Sequence, residues 1–129
     1  MILDQIHSLV QMKARESEVL RSHSADIEYC SKLLVKVFTT GKRLYLCGNG
    51  GSCADADHIA SEFIKDFRIK RKRRNSAERS AGIFQKLQEG LPAVSLSNMS
   101  TITAIANDMA YSLVYAQQLF VYGLSLIHI

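Results

Sequence analysis

The chain has few of the residues that mark membrane or secreted proteins. Its 129 residues include one proline and three cysteines, and no apolar run approaches the ~20 residues of a membrane span. The start, MILDQIHSLVQMKARE, is amphipathic and contains acids, unlike a secretory signal. The cysteines are odd in number and lack metal-finger spacing, which predicts reduced thiols in a cytoplasmic protein. We expect Cys47 and Cys53 to be small buried residues.

Two common phosphate-binding signatures are also absent. The chain contains neither G-x-x-x-x-G-K-[ST] nor G-x-G-x-x-G, so nucleoside triphosphate and dinucleotide sites are poorly supported. It has instead LCGNGGS at 46–52, followed by the alanine-rich ADADHIASE at 54–62. Residues 43–47 predict a buried strand, the glycines a tight turn, and the next segment a helix that Ser52 is placed to cap. Free N–H groups at the start of such a helix favour an anion, most simply a phosphate.

Two residues on the predicted helix can carry chemistry. His58 and Glu62 are four positions apart and share a face, which we expect to lie one turn from the anion site. Glu62 can act as a general base if it projects into the phosphate cleft. An imidazole and a carboxylate at this spacing also suit zinc, although they supply only two of the usual three or four ligands. A core or capping histidine is the alternative for His58, and the flanking motif favours function.

The net charge of +4 is concentrated in one segment. Residues 68–74 hold six of the 16 basic residues, and the remainder of the chain is slightly acidic. A nucleic-acid patch is one interpretation of such a run. A solvated loop is favoured, because no aromatic residues interleave with the charges to stack bases. Attraction of an anionic sugar phosphate is a third possibility.

The pattern along the chain predicts alternating elements. Apolar spacing predicts one helix over 3–22 and a second from about Asp26 to Gly41, which is placed to end it. The second half predicts a short helix at 81–89 stopped by Gly90, and a parallel-type strand at 93–97 after the only proline. A helix over 101–108, capped by Asn98 or Ser100, and a last helix over 111–122 follow. This order favours an α/β sandwich around a parallel sheet.

The segments GNGGSCADADHIASEF and GLPAVSLSNMSTITAIANDMAYSLVYAQQL resemble the sugar isomerase (SIS) family, and within it the phosphoheptose isomerases. The resemblance covers about residues 2–123. It implies a flavodoxin-like three-layer α/β sandwich with a parallel sheet and an N-terminal helical hairpin, incomplete in this chain. On this basis 1–123 is the N-terminal part of a single SIS domain, with the hairpin at 1–40 and β-α units at 41–123. The basic insertion at 68–89 is longer than the family pattern.

The resemblance also assigns roles to single residues. Glu62 matches the family's base and metal ligand, and His58 matches a histidine ligand of one zinc ion per site. The residues matched to the substrate are polar or small: Asn49, Gly50, Gly51, Ser52, Asp55, Glu62, Asn107 and Asp108. Without the resemblance, the Asn-Asp pair is equally well explained as the C-terminal turn of a helix. Asp55 and Asp57 also stabilise a helix start through its dipole, and Asp55 is the better candidate for a substrate contact.

The function implied is the isomerisation of sedoheptulose 7-phosphate to D-glycero-D-manno-heptose 7-phosphate, a step toward heptose for lipopolysaccharide. Family members are homotetramers with sites near subunit interfaces, and we expect a cytoplasmic enzyme. Isomerisation of another phosphoketose is the nearest alternative, since the basic insertion could change specificity. A non-catalytic phosphosugar-binding or regulatory SIS protein is a third, but such a module needs neither His58 nor Glu62.

The end of the chain departs from the family. Family members continue with a serine-rich phosphate loop and a last helix that supplies a Gln and a His ligand. The final residues, LSLIHI at 124–129, resemble a translated transposase end from sequencing-library preparation. We therefore expect a non-native tail, no role for His128, and a chain that alone has little turnover and poor solubility.

Overall fold

The computed structural model describes residues 2–65, 67, 70–71 and 82–123. The chain forms two compact units, residues 1–42 and 43–129. Most of the basic run and the whole tail at 124–129, with His128, lie outside the described residues.

The first unit is helical. It comprises α1 (Ile2–Ala14), α2 (Glu18–Ser22) and α3 (Ser24–Thr39). Helix α1 packs against α3, and the buried side chains of the unit are Ala14 and Phe38. The single helix expected over 3–22 is therefore two. The break falls in the polar stretch 15–17, where Ser17 is extended with φ −150° and ψ 132°, because no apolar residue there gains from staying helical.

Helix α3 ends in a Schellman motif around Gly41. Gly41 has φ +72°, its N–H donates to the Phe38 carbonyl at 3.2 Å, and Lys42 N–H donates to the Val37 carbonyl at 2.9 Å. This pair of bonds satisfies carbonyls at the end of the helix, and a positive φ is what glycine allows at this position. The prediction that Gly41 ends the helix is confirmed.

The second unit is α/β. Its elements are β1 (Leu44–Leu46), α4 (Gly51–Ile64), β2 (Ala93–Ser95), α5 (Met99–Asp108) and α6 (Val114–Tyr122), with 3₁₀ turns at Gly82–Lys86 and Tyr111–Leu113. Strands β1 and β2 pair in parallel with Tyr45 opposite Val94. Leu96 N–H extends the ladder by donating to the Leu46 carbonyl at 2.8 Å. The predicted parallel sheet is confirmed, although the strands are shorter than the apolar runs.

Helix α4 connects the two strands and packs against β2. Its buried residues are Ala56 and Ala60, whose small side chains allow a helix to lie close to a sheet. The core continues through Ala93 and Leu96. The next helix, α5, begins at Met99, two residues before the predicted start at 101. The predicted cap by Asn98 is confirmed, because its side chain accepts from Thr101 N–H at 3.0 Å.

The segment before β2 is shorter than expected as a helix. It is a 3₁₀ turn over Gly82–Lys86 rather than a helix to residue 89. Gly90 then passes so close to the end of α4 that a Cβ would lie 2.1 Å from the Ile64 carbonyl oxygen. Leu91 N–H donates to the Phe63 carbonyl at 2.7 Å, so the chain enters β2 pressed against α4. Among the described helices, none has the length and apolar character to cross a membrane.

Candidate functional site

The turn after β1 needs glycine at two positions. Gly50 has φ +56° and ψ −123°, a combination that other residues rarely adopt. A Cβ on Gly48 would lie 2.5 Å from the main-chain carbon and oxygen of Ser52, because the start of α4 crosses the end of the strand. Gly51 has open space where its Cβ would stand. The predicted glycine turn is confirmed.

The turn uses some of its own donors. The N–H groups of Ser52 and Cys53 donate to the carbonyls of Asn49 and Gly50, each at 3.1 Å. Among the described residues this leaves the N–H groups of Gly50 and Gly51 to meet an anion. The prediction that Ser52 caps α4 is wrong. Gly50, with its positive φ, is the N-cap and no side chain caps the helix, so α4 has already begun at Gly51, one residue before Ser52.

Helix α6 holds the ends of both strands. Tyr115 donates its hydroxyl proton to the Gly48 carbonyl at 2.6 Å, after β1. One turn along, the buried Gln118 donates through Nε2 to the Leu96 carbonyl at 3.0 Å, after β2. In parallel sheets ligands bind beyond these carboxyl ends of the strands. Sequence reasoning missed both side chains, since only the fold brings α6 to this edge.

The thiols near this edge are less buried than expected. Cys47 is exposed and Cys53 is half-buried, so the prediction that Cys47 is buried is wrong. The three-residue strand ends at Leu46, and Cys47 already belongs to the open turn.

Glu62 has an unsatisfied carboxylate oxygen. Its side chain is 22% exposed, and Oε1 accepts from Lys65 Nζ at 3.2 Å. Its other oxygen, Oε2, is buried without a hydrogen-bond partner in the described part of the chain. A buried unpaired acceptor costs about 1–3 kcal/mol, and more when charged, so this oxygen is suited to a ligand or a substrate proton. His58, one turn earlier, is exposed.

The His58–Glu62 pair lies far from the glycine turn. At 1.5 Å per residue, Gly51 is about 10 Å from His58 and about 16 Å from Glu62 along the axis of α4. The expectation that the pair lies one turn from the anion site is therefore wrong by one to two turns. One copy of the helix does not bring Glu62 beside its own glycine turn.

The other substrate candidates lie on two helices. Asp55 is exposed on α4. Asn107 and Asp108 are the last residues of α5, and Asn107 Nδ2 donates to Asp108 Oδ1 at 2.8 Å. The pair thus occupies the C-terminal turn of a helix, as the alternative interpretation held. Its role toward substrate stays a prediction.

Arg71 binds the end of α4 that carries Glu62. Its Nη2 donates to the carbonyls of Phe63 at 3.0 Å and Lys65 at 2.6 Å, and its Nε donates to the Glu89 carbonyl at 2.7 Å. A cation at a helix C-terminus satisfies its free carbonyls and complements the dipole. For Arg71 the expectation of a solvated loop is wrong, although Lys70 beside it is exposed.

The described residues do not complete a zinc site. They contain no group of three or more His, Cys, Asp or Glu side chains placed to hold a metal, whereas protein zinc sites have at least three protein ligands. His58 and Glu62 supply two ligands at most.

Known proteins resemble this chain in sequence and fold. The model of the SIS domain family matches residues 9–77. The phosphoheptose isomerase of Roseiflexus sp. (strain RS-1) is 36% identical over 123 residues, covering 95% of this chain and 52% of that protein. The phosphoheptose isomerase of Clostridium acetobutylicum is 32% identical over 122 residues, covering 92% and 52%. The chain thus spans about half the length of the curated relatives it matches.

A solved structure also resembles this chain in fold. Phosphoheptose isomerase from Neisseria gonorrhoeae has a TM-score of 0.54 to this chain at 24% identity, covering 91% of this chain and 49% of that one. This similarity establishes the fold. With the domain match over more than half of the residues, it follows that the chain belongs to the SIS domain family.

Proposed function

We propose that this chain is part of a sugar-phosphate isomerase that interconverts sedoheptulose 7-phosphate and D-glycero-D-manno-heptose 7-phosphate. Its curated relatives are named phosphoheptose isomerases. The observation that carries the proposal is the buried Oε2 of Glu62, which has no hydrogen-bond partner among the described residues. A phosphosugar-binding module has no use for such a carboxylate, whereas an aldose-ketose isomerase needs a base.

Glu62 is proposed to move the proton between adjacent carbons of the sugar. An isomerase removes a proton from the carbon next to the carbonyl and returns it to the neighbouring carbon, so one carboxylate can serve as base and then as acid. Oε1 of Glu62 accepts a hydrogen bond from Lys65 Nζ at 3.2 Å. This leaves Oε2 as the atom that meets the substrate. Asn49, Gly50, Gly51 and Ser52 would hold the sugar phosphate at the turn, with Asp55, Asn107 and Asp108 meeting its hydroxyls.

The loop and the Glu62 that serve one substrate are proposed to come from two copies of the chain. The separation of about 16 Å along α4 supports this, because the helix is rigid between the turn and Glu62. A homotetramer of the kind the family forms would supply the second copy.

One zinc ion per site is proposed with the same function. His58 and Glu62 would be two of its ligands, and the others would come from outside the described residues. Zinc would polarise the sugar carbonyl as a Lewis acid. We also propose that the enzyme works in the cytoplasm, where the free thiols Cys30, Cys47 and Cys53 would stay reduced.

The test is turnover of sedoheptulose 7-phosphate by the protein that contains this chain. Glu62→Gln keeps the size of the side chain and removes the base, and we expect kcat to fall by about 10²- to 10⁴-fold. Asp57→Asn on the same helix is the matched control, since Asp57 is exposed and outside the proposed site. It should leave kcat within twofold, roughly the effect of a neutral surface change.

Mixing two inactive variants tests the shared site. If Asn49→Ala and Glu62→Gln damage different copies of one site, mixed oligomers will contain some intact sites and recover part of the activity. No recovery despite subunit exchange would place both residues in one copy. A protein that binds the phosphosugar but turns over neither it nor another phosphoketose would be a binding module, and the isomerase proposal would fail.

A further inference from the structure

Tyr115 contacts the glycine turn at two points. Its hydroxyl donates to the Gly48 carbonyl at 2.6 Å and lies 3.1 Å from the amide oxygen of Asn49. Both partners are more than 60 positions away in sequence. Gly48 lies just before the turn, and Asn49 contributes an exposed polar side chain to it. One hydroxyl therefore contacts both the main chain and a side chain of the candidate phosphosugar loop, residues 48–52.

The Tyr115 hydroxyl has one proton and two possible acceptors, the Gly48 carbonyl and the Asn49 amide oxygen. A phenol has one proton and can also accept, and the shorter contact to Gly48 takes the proton. The Asn49 amide oxygen Oδ1 lies 3.1 Å from the same hydroxyl, as a second and longer acceptor for that proton. With Oδ1 turned toward Tyr115, the Nδ2 group of Asn49 is left as a donor for an oxygen of the sugar phosphate.

We propose that Tyr115 is a positioning residue of the phosphosugar loop, which holds the Gly48 carbonyl and sets the orientation of the Asn49 amide for substrate. The inference rests on the proposed function, because it concerns the same site. It adds a residue to which the sequence analysis assigned no role.

The surroundings of Tyr115 suit this role. It stands on helix α6, one turn before Gln118, which fixes the Leu96 carbonyl through Nε2 at 3.0 Å. A group on a helix held at two strand ends is more precisely placed than a group on a loop. Partial burial, followed by the nearby Cys53, Tyr111 and Cys47, raises the pKa of the Tyr115 phenol above its ordinary 10.0, so the hydroxyl keeps its donor proton.

The test separates positioning from general stability with a matched pair of tyrosines. Tyr115→Phe removes only the hydroxyl at the loop. Tyr45→Phe removes a hydroxyl that donates to the Tyr122 carbonyl at 2.7 Å, a bond of the same chemistry with no contact to Asn49. Both variants are made in the Glu62→Gln protein, where binding of sedoheptulose 7-phosphate is measured by calorimetry without turnover.

We expect Tyr115→Phe to raise Kd about three- to tenfold, the range for one lost hydrogen bond, and Tyr45→Phe to leave Kd unchanged. In an Asn49→Ala background, Tyr115→Phe should have little further effect, because the two changes break the same contact. Equal Kd effects from the two tyrosines, or full additivity with Asn49→Ala, would overturn the inference.

A second readout distinguishes failure of the inference from failure of the proposed function. If the parent protein binds no phosphosugar, the proposed function fails. Hydrogen exchange at the amides of Ser52 and Cys53, which donate to the carbonyls of Asn49 and Gly50, still decides the role of Tyr115. Faster exchange there in Tyr115→Phe than in Tyr45→Phe supports the positioning role, and equal rates overturn it.

Discussion

The two units of the chain are stabilised in different ways. In the helical unit, a polar contact between α1 and α3 joins two side chains, His7 and Glu28, at 2.8 Å, and Glu28 also pairs with Lys32 on its own helix. In the α/β unit, side chains bind main-chain carbonyls across long sequence separations, as Tyr115, Gln118 and Arg71 do. Bonds of the second kind fix the backbone itself. We therefore expect a single added methyl group to lower the free energy of unfolding more in the α/β unit, which contains the candidate site, than in the helical unit.

The largest effect is expected at Gly48. Gly48→Ala places a Cβ 2.5 Å from the main chain of Ser52, where neither partner can rotate away. We expect the free energy of unfolding to fall by about 3 kcal/mol, the upper end for overpacking, as measured by urea denaturation. Gly51→Ala is the matched control, because its Cβ meets open space. Comparable losses at both glycines would show that the close approach of Gly48 to Ser52 does not constrain the turn.

A smaller effect is expected at the other end of α4. Arg71→Gln removes the guanidinium from the carbonyls of Phe63, Lys65 and Glu89. We expect a loss of about 1–3 kcal/mol in the free energy of unfolding, the range for hydrogen bonds that involve a charged group.

The adjacent cation supplies the control for that change. Lys70→Gln removes the same charge from an exposed position and should change stability by less than about 0.5 kcal/mol. If both substitutions cost the same, the contribution of Arg71 is net charge and not its bonds to the helix end.

The smallest effect is expected in the helical unit and depends on pH. Hydrogen bonds from Lys32 and then His7 lower the pKa of Glu28 below its ordinary 4.5. A lowered carboxyl pKa stabilises the fold above the unfolded value, and this stabilisation is lost as the pH falls through the lowered value. Glu28→Gln should therefore be slightly less stable than the parent at pH 7, and the difference should shrink as the pH falls below 4.5 and through the lowered pKa of Glu28.

An exposed ion pair is the comparison for that titration. Glu16 pairs with Lys13 at 2.8 Å with both side chains more than half exposed, so Glu16→Gln should have no measurable effect at any pH. A difference that persists for Glu28→Gln at low pH would show that the carboxylate acts through packing instead of charge.

Local signals in the sequence predicted the local structure well. Gly41, Asn98 and the glycine turn each act through a few neighbouring residues, and each has the conformation that its residue type predicts. The prediction of one helix over 3–22 was wrong because the spacing of apolar residues gives no signal for the polar break at 15–17. The prediction that Ser52 caps α4 was wrong because Gly50, with its positive φ, takes the N-cap position.

Tertiary hydrogen bonds were beyond sequence reasoning. Tyr115 and Gln118 lie in an apolar helix where the sequence assigned them no role, and their acceptors are main-chain carbonyls that any residue presents. Arg71 was one cation among six. For Glu62 the sequence predicted a base, but the unpartnered Oε2 and the distance to the glycine turn follow only from the three-dimensional arrangement.

The contact between Arg71 and the Glu89 carbonyl at 2.7 Å has a consequence for how this insertion can change over time. It joins the two ends of the segment that lies between them, and Leu91 joins the same stem to α4. Once the ends of a loop are held, doubling its length adds only about 0.6 kcal/mol of closure entropy. A change in the length of the insertion therefore costs little closure entropy as long as Arg71 and Gly90 hold its two ends at α4.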